Sequence, residues 1–215
     1  MKTIRLVYFI AGVTLLSVPA WSLPVVLNGS FEQNVLASPF FGNAATVSNW
    51  TFAGVGDGPH WAVGYVDGSG SVTVAGAGNQ FVTMGGGGTV GTGTWSQLVS
   101  GFTIGQSYRL TFMLASETGA DTNQVVSASI LGVASQNFVA PVSGANYWRN
   151  WGAFGLDFTA QNASETVQFS STTVRDVGLD NVGISQNGGV PEPASWGLMG
   201  AGIGLLALLR HRLNS

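Results

Sequence analysis

The 215 residues include no cysteine, one lysine (Lys2) and two histidines (His60 and His211), and only 8% are charged. Each scarcity excludes something. Without cysteine there are no disulfides, no thiol chemistry and no thiolate metal ligands, so an exported form of this chain folds unstapled. Between residues 23 and 190, three basic residues (Arg109, Arg149, Arg175) face nine acidic ones, a net charge of −6. That centre has no basic face for phosphates, which argues against nucleic acid as a partner. The glycine run GGGGTVGTGT lacks a P-loop lysine and reads as a turn. His60 is the only histidine ahead of the C-terminal tail, its GDGPHW context reads as a loop, and there is no GxSxG elbow for a Ser-His-Asp hydrolase. The acids Asp57, Asp67, Glu117, Asp121, Asp157, Glu165 and Asp176 mostly fall in turn-like sequence, where local hydrogen bonding accounts for them without acid–base chemistry. The expectation is a protein that is not an enzyme, a secreted hydrolase being the last-placed alternative.

What the chain has instead is glycine, 32 residues of it, with 11% aromatics. That composition reads as short strands joined by turns. The period is two throughout the centre. In SYRLTFMLAS, Tyr108, Leu110, Phe112 and Leu114 alternate with Arg109, Thr111 and Met113. QVVSASILG, ETVQFSS, NQFVTM, TWSQLVSG and AFGLDFTA follow the same pattern, and Gly- and Asp-rich turns separate them. About eight to ten strands without a helical period predict an all-β fold, a two-sheet antiparallel β-sandwich or jelly roll.

Both ends are apolar. At the start, Lys2 and Arg5 precede the apolar run Leu6–Val18, and Ala20-Trp21-Ser22 supplies small residues for cleavage. Residues 1–22 therefore read as a secretory signal peptide, a substrate for signal peptidase. At the other end, Trp196–Leu209 is uncharged over 14 residues. As a helix it spans about 21 Å, short of the roughly 30 Å hydrocarbon core. Gly200 and Gly204 form a GxxxG pair, and Arg210, His211 and Arg212 close the run with positive charge. Four parts follow: 1–22 signal peptide, 23–186 β-sandwich, 187–193 linker, and 194–215 C-terminal transmembrane helix with a basic tail.

The stretch VPEPASWGLMGAGIGLLALLRHR resembles the PEP-CTERM sorting signal of exported bacterial proteins, which joins a Pro-Glu-Pro box, a short helix and a basic tail. The resemblance implies a box at Pro191, Glu192 and Pro193, a stop at Arg210 and Arg212, and processing by an exosortase-type transpeptidase. It also implies an inner-membrane intermediate, then release to the cell surface or extracellular matrix of a Gram-negative-type bacterium. Proline disfavours helix at its own position and the one before, which keeps such a box extended and accessible.

The centre carries a second resemblance. It opens VVLNGSFE, closes RDVGLDNVGIS and contains GQSYRLTFMLASE, a set similar to the galactose-binding-like jelly rolls of carbohydrate-binding modules. In such domains the first and last strands are neighbours, and a structural calcium ion sits between them. The resemblance implies Glu32 and Asp180 as its carboxylate ligands. Two carboxylates suffice for calcium only if backbone oxygens complete a shell of about 6–8. The other reading makes Glu32 an exposed strand residue and Asp180 a turn cap.

A sugar site needs an aromatic plate and nearby amides or charges. ANYWRNW concentrates these as Tyr147, Trp148, Arg149, Asn150 and Trp151. If the stretch is extended, Tyr147, Arg149 and Trp151 share one face and Trp148 takes the other, so one of the two tryptophans belongs to the core. Core packing and a ligand platform both remain open for this stretch. Trp50, Trp61 and Trp95 read as core or strand-edge residues. The leading expectation is a surface-sorted, non-catalytic protein that binds extracellular polysaccharide. The alternative is a structural or adhesive matrix protein without a sugar site.

Overall fold

The computed structural model describes residues 23–33, 42–43, 47–54, 60–63, 75–84, 93–117, 124–142, 148–171, 173, 175–187 and 210. The segment Ser22–Val190 forms one compact unit. Among the described residues its strands are β1 (Gly42–Asn43), β2 (Thr51–Gly54), β3 (His60–Val63), β4 (Gln80–Met84), β5 (Gly93–Ser100), β6 (Ser107–Ser116), β7 (Val125–Ile130), β8 (Ala134–Val139), β9 (Gly152–Thr159), β10 (Ser164–Ser171) and β11 (Val177–Gln186). His60, expected in a loop, begins β3.

Two antiparallel sheets face each other. The larger runs β1-β3-β4-β11-β6-β9 and the smaller β2-β5-β10-β7-β8. This is the sandwich the period-two pattern predicts. On β6 the burial alternates as expected, with Tyr108, Leu110, Phe112 and Leu114 inside and Ser107 and Arg109 exposed. Between the sheets Phe112 meets Phe138 and Phe169 edge-on, at 5.1 and 4.9 Å between ring centres. Trp95 of β5 is fully buried and donates its indole N–H to the Thr83 carbonyl of β4 at 2.9 Å, so one side chain fills space and bonds one sheet to the other. Trp50 is buried too, as expected, and donates to the Asn28 carbonyl at 3.1 Å. Each such ring contributes roughly 1.5–3 kcal/mol by leaving water. All core residues among those described lie between 26 and 184, so this unit carries its own core.

β4 is buried at all five positions. Its inner residues Val82 and Met84 join the main core, while Phe81 joins a second small cluster with Ala115 and Trp148. The large sheet is thus covered locally on its outer side as well.

Pro191, Glu192, Pro193 and Arg212, the signal segment and the run Trp196–Leu209 lie outside the described residues; Arg210 is helical and exposed. Among the described residues no helix is long and apolar enough to cross a membrane.

Candidate functional site

The opening motif is not a strand. Residues 23–33 form extended and turn structure that docks on β11, where the Val182 amide donates to the Gly29 carbonyl at 2.9 Å. A Cβ at Gly29 would overlap the Val182 carbonyl oxygen, so only glycine permits the approach. Asn28 sits at φ 52°, a left-handed conformation that Asn tolerates. Its side chain donates to the Ser48 carbonyl at 3.0 Å and accepts from the Gln33 amide at 3.1 Å. Phe31, at φ 58°, turns into the core against Trp50. A bulky residue there is held only by strongly determining surroundings. The turn aims Glu32 outward.

Glu32 and Asp180 then converge on one loop. Glu32 Oε1 accepts the amides of Asn79 and Gln80, both at 2.7 Å. Asp180 Oδ2 accepts the Ala77 amide at 2.7 Å, and its Oδ1 accepts the Asn181 amide at 2.6 Å. Gly78, at φ +71°, lies so close to Glu32 that a Cβ would overlap the carboxylate. Asp180 is fully buried. Burial pushes its carboxyl up to about 7 against the opposing pull of these amides, and the charge of Glu32 adds to the rise. Two hard carboxylate groups on one loop, one of them buried at a cost relieved by positive charge, fit the donor chemistry of calcium. Backbone oxygens would have to complete the shell, since no three acidic or imidazole side chains gather among the described residues.

The aromatic stretch lies over the outer face of the large sheet. Trp148 is buried against Phe81 at φ 45°, so it is a core residue and not a ligand platform, a correction to that part of the expected site. Trp151 is half-buried and packs edge-on against Phe81 at 5.1 Å, with its indole N–H given to the Trp148 carbonyl at 2.9 Å. Both rings need glycine beneath them: a Cβ at Gly178 would stand 2.8 Å from Trp151 and 2.9 Å from Trp148. Arg149 and Asn150 are exposed; Asn150 donates to the Val142 carbonyl at 3.0 Å. Tyr147 lies outside the described residues.

Farther along the same face the side chains are small. Thr111 of β6 is flanked in register by Gly155 of β9 and Gly183 of β11. Arg109 lies across Gly155, where a Cβ would come within 2.5 Å of its Nε. Its guanidinium donates to Asp157 at 2.7 Å, and Asn187 donates to the other carboxylate oxygen at 2.7 Å. The Asn187 bond first, and Arg109 second, hold the Asp157 carboxyl below its usual range. Asp157 is a mid-strand residue of β9, in the stretch AFGLDFTA whose alternation predicts a strand. A strip floored by Thr111, Gly155 and Gly183, with Met113 between it and Trp151, thus leads to the Arg109–Asp157–Asn187 cluster.

A family profile described as a protein of unknown function, DUF642, matches residues 24–181. The chain belongs to the DUF642 family. The profile of the PEP-CTERM protein-sorting motif matches residues 189–212, so this DUF642 protein is sorted to the cell surface after export. No curated protein matches the chain. Among solved structures, the Stig cyclase Fisc from Fischerella sp. TAU is similar over 78% of this chain and 99% of its own, at 11% identity and a TM-score of 0.58. TmCBM61, solved with beta-1,4-galactotriose, is similar over 77% of this chain and all of its own, at 16% identity and a TM-score of 0.51. At these identities the likeness establishes the jelly-roll fold alone.

Of the expected site residues, the DUF642 fold brings Glu32 and Asp180 to one loop, and sets Arg149, Asn150 and Trp151 beside one another at the surface. Sequence reasoning missed Arg109, Asp157 and Asn187. Arg109 and Asp157 are lone charges at solvent-side positions of alternating strands, a signal that becomes readable only once the β6–β9 register is known.

Proposed function

We propose that this DUF642 domain is a non-catalytic module that binds extracellular polysaccharide along the outer face of its larger sheet. The observation that carries the reading is the half-buried Trp151 beyond one end of the Thr111–Gly155–Gly183 strip, with a charged hydrogen-bonding cluster at the other. A ring stacks on the apolar face of a sugar, and the guanidinium, carboxylate and amide of Arg109, Asp157 and Asn187 suit hydroxyls. Arg149 and Asn150 border the strip. Glu165 has a structural duty: it accepts the Gln161 and Asn162 amides and closes a turn. That TmCBM61, of the same fold, was solved with a galactotriose is consistent with this use of the sandwich.

A structural calcium ion belongs to the same reading. Glu32 and Asp180 would hold it, the charge of the ion would keep Asp180 ionised, and the loop from Gly76 to Gln80 would be fixed beside Trp151. Sorting supplies the context: an exosortase-type enzyme would cut near Pro191-Glu192-Pro193 in a Gram-negative-type inner membrane and deliver the domain to exopolysaccharide outside.

Retention of residues 22–190 on immobilised polysaccharides tests the site. Trp151→Ala and the exposed Arg149→Ala should each lower retention, while Thr166→Ala on the smaller sheet should leave it unchanged. Retention by no polysaccharide would favour a structural or adhesive matrix protein.

A further inference from the structure

Among the described residues the sandwich has four sheet edges, and they are protected unequally. β1 has two residues and β2 four, too short to template much pairing. β9 is long, but it carries the exposed Asp157 and two glycines. β8 is different. It ends the smaller sheet, pairs with β7 over all six residues without a bulge, and contains no charge and no proline. Ser135, Gln136, Asn137 and Val139 are exposed along it. Among the described residues, such a strand presents a row of backbone donors and acceptors guarded by no bulge, charge or proline of its own. Three exposed aliphatics flank its ends: Leu131 (47%), Val139 (52%) and Val142 (38%).

We propose that β8 is a self-association edge, where two copies of this chain pair β8 with β8 antiparallel about a two-fold axis and join their smaller sheets into one. The occupant follows from shape and charge. An antiparallel edge is its own complement, so a two-fold satisfies both copies at once. The domain carries −6, so two copies repel wherever their acids meet. No charged residue occurs between Thr122 and Trp148, so copies can approach along β8 without that penalty. Directly opposed residues in an antiparallel pair face the same side, so the axis must pass midway between a residue and its own copy. Centred on Asn137, the pairing sets Asn137 against its own copy and Ser135 against Val139, all on the outer face. The inference is independent of any polysaccharide site.

Sedimentation of residues 22–190, and of the full chain in detergent, should show a monomer–dimer equilibrium. Asn137→Lys places like charges on the axis and should raise the dissociation constant at least about tenfold. Because the chain has no cysteine, Asn137→Cys introduces the only thiol, and oxidation should give a covalent dimer. Opposed Cα atoms in such a pair lie about 4.5–5.5 Å apart, within disulfide range. Ser170→Cys, on β10 inside the sheet, should not cross-link. Both positions are at least partly exposed, so the thermal transition checks that each variant is folded. A wild type that stays monomeric, a dimer indifferent to Asn137→Lys, or equal cross-linking at 137 and 170 would overturn the proposal. So would loss of polysaccharide retention in Asn137→Lys with no wild-type dimer, which would assign the edge to the ligand.

Discussion

The outer faces of the two sheets are built from the same alternating pattern yet differ in kind. The smaller sheet shows solvent a carpet of Ser, Thr and Gln, among them Thr94, Ser96, Thr166, Gln168, Ser127 and Ser129. Several of these hydroxyls bond one another or the backbone, as between Ser100 and Ser164 at 2.9 Å and from Ser129 to the Gln168 carbonyl at 3.4 Å. The larger sheet carries glycine at Gly155, Gly178 and Gly183, and segments of chain fold back onto it. Removing side chains from a sheet's outer face makes room for something else to sit there. Here the occupants are two tryptophans, the Gly76–Gln80 loop and the Arg109 side chain. The domain's perturbed carboxyls, Asp157 and Asp180, both belong to this sheet.

The comparison is broken most completely by Gly29→Ala. The added Cβ would collide with the Val182 carbonyl, and backbone on both sides leaves little room to relax. The opening motif would lift from β11, taking with it Glu32 and the Trp50–Asn28 bond. The expected loss is about 3 kcal/mol or more, read from urea unfolding. Ser96→Val on the smaller sheet should change stability by no more than about 0.5 kcal/mol, as surface changes usually do.

Asp180 gives the next largest effect, through pH. Its folded value near 7 lies above the unfolded value near 3.9, so the metal-free fold holds this proton more tightly than the unfolded chain. The stabilisation is complete below about pH 4, fades as pH rises and is gone above about 7, a change of a few kcal/mol at most. Melting temperature of the chelated domain should therefore fall from pH 4.5 to pH 7.5. Calcium should raise it at pH 7.5 and flatten the slope, because the bound form keeps the carboxylate ionised. Asp180→Asn should lose both the slope and the calcium response. A calcium response that survives in Asp180→Asn would remove this residue from any metal site.

Much of this was legible beforehand. β6, β7 and β10 were readable because a buried strand in an antiparallel sandwich must alternate, and alternation is a local property of sequence. Glu32 and Asp180 were paired in advance only through the resemblance of the opening and closing motifs; the structure adds that Asn28 and Phe31 turn the backbone and that Gly29 allows contact. What could not be read is what pairing alone decides. Nothing local says that Gly155 and Gly183 flank Thr111, or that the amides of Asn79 and Gln80 meet Glu32. Nor could ANYWRNW reveal which tryptophan goes inside. Both rings meet Gly178 and Phe81, which lie on strands distant in sequence.

The smallest predicted effect tests the larger sheet's face most directly. Arg109 and Asp157 are both well exposed, at 44% and 58%, so water and salt screen their attraction and the pair contributes little to folding. Arg109→Ala should leave the melting transition nearly unmoved. The Asp157 carboxyl should rise toward its ordinary range, but only in part, because the Asn187 bond is the larger cause of its depression; an NMR titration of the side-chain carboxyl reads this. If the strip binds sugar hydroxyls, the same variant should lose polysaccharide retention that its stability does not explain. A variant equally stable and equally retained would mean that the ion pair is only a solvated cross-strand contact, and would leave Trp151 and its neighbours to account for binding alone.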